Sequence, residues 1–118
     1  MQATTYTLPD GSETRLERHP MRFATRSIPA LVDMLADSGS PKNRLVAKMA
    51  GGSAMFGSGS ATVAIGDRNV AQAKAELRRL HIPLRAEDTG MRHARTIELH
   101  LDTGILLVRS YVYGIREI

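Results

Sequence analysis

The 118-residue chain contains no cysteine and no tryptophan, and aromatic residues make up only 4% of it. Without cysteine there are no disulfides, no thiolate metal ligands and no cysteine nucleophile within these residues. With so few aromatic rings, aliphatic side chains and the 6 methionines must fill the core. No apolar run approaches the ~18 residues that a membrane span needs, and the first residues lack a basic-then-apolar leader pattern. The reading is a single domain over residues 1–118, free of membrane insertion and placed in the cytoplasm. What is present is ordinary for a globular chain, with 42% hydrophobic and 24% charged residues. The net charge is +4, spread evenly: residues 1–59 carry seven basic and five acidic side chains, and residues 60–118 carry nine and seven. A basic tail is therefore absent, and the charge reads as a mildly cationic surface rather than a nucleic-acid footprint.

Hydrophobic spacing outlines the elements. Thr4 to Leu8 favours a strand, and Pro9-Asp10-Gly11-Ser12 a turn. Residues 13–20 have no apolar period and read as an exposed loop. Ile28, Leu31, Val32 and Leu35 mark one face of a helix over 28–38. Ser27 or Thr25 would cap it, Pro29 would sit in its first turn, and Gly39 suits its left-handed end. Residues 45–50 read as a strand, 51–60 as a glycine-rich loop and 62–65 as a short strand. A second helix is expected over 67–80, with Asp67 as N-cap, Val70, Ala73, Leu77 and Leu80 inward, and Arg68, Gln72, Glu76 and Arg79 in water. Residues 82–86 read as a strand and 87–90 as a turn. Ile97, Leu99 and Leu101 alternate with polar neighbours before Asp102-Thr103-Gly104, and Ile105 to Val108 returns, which predicts a hairpin. The tail from Tyr111 to Ile118 is expected to pair as a strand.

Chemical motifs are sparse. Gly57-Ser58-Gly59-Ser60 lacks the third glycine of a dinucleotide fingerprint and the Lys of a phosphate loop. His19, His81, His93 and His100 have no metal-ligand spacing, so no cofactor is expected. No serine stands in a strand–turn–helix elbow. Glu87 and Asp88 are adjacent, and since neighbours on a strand point to opposite faces, no carboxylate dyad is expected there.

The strings RLVAKMAGGSAMF and IGDRN between Arg44 and Asn69, followed by HIPLRAEDTGMRHARTIELHLDTGILLVR, resemble the chemoreceptor glutamine deamidase family, CheD. Leu8-Pro9 and Arg22-Phe23-Ala24-Thr25 fit the same order, so the resemblance covers roughly residues 5–109. It implies an α/β (α+β) fold, with a mixed, largely antiparallel sheet, helices near 28–38 and 67–80 packed on it, and N-terminal strands missing or replaced. It also implies hydrolysis of receptor glutamine amides to glutamates, by a cysteine thiolate attacking the amide carbon while a histidine supplies the leaving ammonia with its proton.

Two departures from the family fall on that chemistry. Thr5 occupies the family's histidine position, and the family's Gly-Ser-Cys segment would precede Met1. The resemblance leaves a scaffold of Gly51, Gly52, Ser53, Asn69, Thr89 and Gly90, and the Gly66-to-Asn69 turn. Its implied partners are chemoreceptor cytoplasmic helices and a CheC-type phosphatase. The expectation is a deamidase-like protein inactive in this chain. The alternatives are an active deamidase represented by an incomplete chain, and a basic protein- or nucleic-acid-binding domain without catalysis. An uncovered sheet edge also raises self-association into a homo-oligomer.

Overall fold

A computed structural model describes residues 4–7, 13–17, 20–54 and 60–118, with side chains described for 21–54 and 65–118. The pairs β1 (Thr4–Thr7) and β2 (Glu13–Glu17) form an antiparallel hairpin of their own. β2 corrects the loop expected over 13–20: backbone pairing with β1 holds it extended without any apolar alternation. The turn expected over 9–12 lies outside the described residues.

Helix α1 spans Ala24–Asp37, starting four residues before the sequence-based boundary. Neither Ser27 nor Thr25 caps it. Phe23 is the N-cap with no side-chain cap, and its carbonyl accepts the N–H groups of Arg26 and Ser27 at 2.9 Å each. Pro29 consequently lies in the second turn, where the missing N–H leaves the exposed Thr25 carbonyl to water. The C-terminus closes as expected: Gly39 has φ +97°, its N–H reaches Ala36 O at 3.1 Å, and Ser40 N–H reaches Leu35 O at 2.8 Å.

β3 (Ala47–Gly51) leads through α2 (Ser60–Arg79) into β4 (Leu84–Thr89), which lies parallel to β3. The long α2 overturns three expectations. The strand over 62–65 is helix, Asp67 is interior rather than an N-cap, and Gly66 to Asn69 is not a turn. Tertiary packing of Gly66, described below, outweighs the β-branched Thr62, Val63 and Ile65. α2 ends in the same double-bonded geometry as α1, with His81 at φ 58° in the place of a glycine. Ile82 then folds back onto Leu77, and both are buried. Glu76 is buried too, against the expectation that it faces water, because Arg79 one turn on covers its carboxylate. The turn expected over 87–90 is largely strand, since β4 runs on to Thr89 to match Gly51 of β3.

Register sorts the two faces of β3–β4. Ala47, Met49 and Leu84 pack with Ile28, Val32, Leu45, Leu77, Leu80 and Ile82 against the helices. Glu87, opposite Met49, meets Lys74 of α2 at 2.9 Å. That hydrogen bond holds the Glu87 carboxyl below its ordinary value, with help from the Thr89 hydroxyl. The other face carries Lys48 and Asp88, which reach the third sheet: Lys48 Nζ donates to Gly104 O at 2.6 Å and Ile118 O at 2.8 Å.

That sheet is antiparallel, in the order β5 (Thr96–Leu99), β6 (Leu106–Ser110), β7 (Gly114–Glu117). The predicted hairpin is β5–β6. The tail pairs as a strand over Gly114–Glu117, while Tyr111, Val112 and Tyr113 form an exposed turn rather than part of it. The fold is thus mixed α+β and, among the described residues, has one parallel ladder and three antiparallel ones divided among three sheets.

Candidate functional site

Parallel strands joined by a helix put both their carboxyl ends at one edge, where loops are free to meet a ligand. Here those ends are Gly51 of β3 and Thr89 of β4, which are register partners. Beyond them the backbones remain joined. Gly90 N–H donates to Gly51 O at 2.9 Å, and Ala54 N–H donates to Met91 O at 2.9 Å. Five of the scaffold residues named from sequence (Gly51, Gly52, Ser53, Thr89 and Gly90) therefore form one platform.

Two glycines explain how α2 reaches it. Gly52 has φ +68°, and a Cβ there would lie 2.3 Å from Val70 Cγ2. A Cβ on Gly66 would lie 2.6 Å from Gly52 O and 3.2 Å from Ser53 O. The helix rests directly on the backbone after β3, glycine against glycine. Asn69 follows one turn along α2 with an exposed side chain. Thr5 lies in β1, whose sheet contains β2 alone among the described strands, and Ser53 is half-buried.

A charged clamp holds the platform from beneath. Arg95 donates from Nε to Asp88 Oδ1 at 2.8 Å, and from Nη1 to Gly90 O at 3.0 Å and Gly51 O at 3.4 Å. Arg116 Nη1 takes the other Asp88 oxygen at 2.9 Å. The Arg95 and Asp88 side chains are only 3% and 9% exposed. One guanidinium therefore ties the end of β3 to the turn after β4 and anchors both to a buried carboxylate. Arg95 Nη2 is buried without an acceptor among the described residues.

Sequence reasoning missed this clamp. Asp88 was placed in a turn, and Arg95 in no element. The available signal was the arginine opening the alternation Thr96 to Leu99, one residue before a strand and seven after an acidic residue. The opposite-face reading of Glu87 and Asp88 holds, with Glu87 on Lys74 and Asp88 on Arg95. The histidines stay apart: His93 stacks edge-on against Tyr113 at 5.1 Å, and His100 Nε2 lies 3.1 Å from Glu98. Among the described residues no three acidic or histidine side chains gather as a metal site, and no helix is long and apolar enough to cross a membrane.

Fold and site together define an α+β protein with a welded platform at the carboxyl ends of two parallel strands. The family model described as CheD chemotactic sensory transduction matches residues 7–110, and the chain belongs to that family. Three similar proteins carry the name "Probable chemoreceptor glutamine deamidase CheD". That of Geobacillus kaustophilus is 42% identical over 100 residues, covering 82% of this chain and 61% of its own length. That of Caldanaerobacter subterraneus subsp. tengcongensis is 37% identical over 113 residues, covering 94% and 70%. That of Methanococcus maripaludis is 37% identical over 99 residues, covering 84% and 64%. The chain thus spans 61–70% of the length of these relatives.

Proposed function

We propose that this chain acts in chemotaxis as a chemoreceptor glutamine deamidase-like protein that engages the receptor without hydrolysing its amides. The observation that carries the reading is the family match running through the welded platform, from Gly51-Gly52-Ser53 to Thr89-Gly90. In the family reaction a thiolate adds to the side-chain amide carbon, ammonia leaves with a proton from the histidine, and water then hydrolyses the thioester to give glutamate. The 118 residues contain no cysteine, and on the family resemblance Thr5 falls at the histidine position. Ser53 does not replace the thiolate, because no base bonds its hydroxyl among the described contacts and an unactivated hydroxyl is a weak nucleophile.

Gly51, Ser53, Thr89 and Gly90 present short side chains and backbone at the platform, which lets a receptor cytoplasmic helix approach closely. A CheC-type phosphatase is the second partner that the family resemblance implies. Fluorescence anisotropy against a labelled receptor cytoplasmic fragment, the phosphatase and a generic DNA duplex tests this. Saturable binding to either protein, weakened by salt as expected for a chain of net charge +4, is the predicted result. Binding to the duplex alone, with a steep salt slope, would instead make the chain a basic nucleic-acid-binding domain.

A further inference from the structure

The strand β5 has β6 on one side and no described strand on the other. Which backbone groups it leaves open follows from one hydrogen bond. His100 N–H donates to Ile105 O at 2.9 Å. In an antiparallel ladder the bonding residues alternate, so Glu98 and Thr96 also bond inward, opposite Leu107 and Arg109. Ile97 and Leu99 then turn their N–H and C=O groups to the open edge.

Their side chains are equally unfinished. Ile97 is paired with Val108 and Leu99 with Leu106, so the four share one face of the sheet. Val108 and Leu106 are 2% and 5% exposed, whereas Ile97, Leu99 and Leu101 are 53%, 55% and 90% exposed. The face is covered over β6 and bare over β5. The run Ile97-Glu98-Leu99-His100-Leu101 alternates apolar and polar, has no proline and carries little net charge, the composition of an adding edge, with the strand itself ending at Leu99 and Leu101 opening the turn.

We propose that this edge is a self-association surface, on which β5 of a second copy pairs antiparallel about a two-fold axis through Leu99. The axis position is chosen by the side chains. Centred on Leu99, the pairing sets Leu99 against Leu99 of the second copy and brings Ile97 towards its Leu101, the first residue of the turn that Gly104 N–H closes on His100 O at 2.7 Å. It also sets Glu98 opposite His100 of the second copy, twice, so that each carboxylate, 3.1 Å from its own chain's His100, also faces an imidazole of the other copy rather than a second carboxylate. Centred on Glu98 instead, the same strands would oppose two carboxylates. The edge of β7 offers no such match, because its outward-bonding residues are Ile115 and Glu117 and its Arg116 is already committed to Asp88. The two three-stranded sheets become one sheet of six strands.

Sedimentation velocity across a dilution series reads the result. The chain should show a reversible monomer–dimer equilibrium, and Leu99→Lys should abolish it by placing two ammonium groups at the axis. His100 is exposed at the strand end, so its variants leave the core untouched. His100→Glu should weaken the dimer about tenfold through two like-charge contacts, while His100→Lys should keep it at least as tight. In amide exchange, Ile97 and Leu99 should slow as the dimer fraction rises. Circular dichroism confirms that each variant is folded. A monomer at every concentration, or a dimer indifferent to residues 99 and 100, would overturn the proposal.

Discussion

Asp88→Ala should lower the stability of the chain by about 3–5 kcal/mol, seen as a fall in the urea midpoint with little change in slope. The substitution removes the counter-charge of Arg95, whose guanidinium is almost wholly buried and already leaves Nη2 without an acceptor. The two carbonyls of Gly51 and Gly90 remain bonded to it but carry only partial charge. Arg116 is also released, but its side chain is 55% exposed and water replaces the partner at small cost. A second variant separates charge from packing. Asp88→Leu combined with Arg95→Met removes both buried charges at similar volume, and should cost much less than Asp88→Ala alone. If the double variant is the less stable of the two, the clamp is held by its hydrogen bonds rather than by the need to neutralise Arg95.

Gly66→Ala should destabilise the chain by about 1–3 kcal/mol net, and Gly66→Val by more. The direction is what makes the test sharp. In a helix interior, alanine is favoured over glycine by about 1 kcal/mol, so propensity alone predicts a more stable protein. Here the new Cβ would sit 2.6 Å from the carbonyl oxygen of Gly52, which is backbone held by the platform and cannot turn aside. Thermal unfolding followed by circular dichroism decides the sign. Stabilisation by alanine would mean that α2 does not rest on the backbone after β3.

These two sites also show where sequence reading succeeds and where it stops. The face of α1 was legible because Ile28, Val32 and their neighbours repeat at helical spacing, and the β5–β6 hairpin because alternation flanks a glycine turn. The start of α1 was not, since the backbone carbonyl of Phe23 serves its first turn where a hydroxyl was expected. The first part of α2 was misread because β-branched residues at 62, 63 and 65 favour strand locally, and nothing local reveals that Gly66 meets Gly52. Thr89 and Gly90 were grouped with Gly51 through the family resemblance, and the parallel register and the Gly90–Gly51 hydrogen bond bring them together. The clamp was invisible for the complementary reason. Asp88 and Arg95 lie seven residues apart across the turn after β4 and Arg116 lies on β7, and no apolar period or motif links the three, which meet only through the Asp88 carboxylate.

The central proposal is that these 118 residues engage the receptor without hydrolysing its amides. Its most direct test is to incubate the purified 118-residue chain with a receptor cytoplasmic fragment and count glutamine-to-glutamate conversions by peptide mass spectrometry. These 118 residues include no cysteine to supply the attacking thiolate, so conversion should not exceed that of a heat-killed control. Site-specific conversion clearly above that control would contradict the account and show that the chain carries a catalytic nucleophile of another kind.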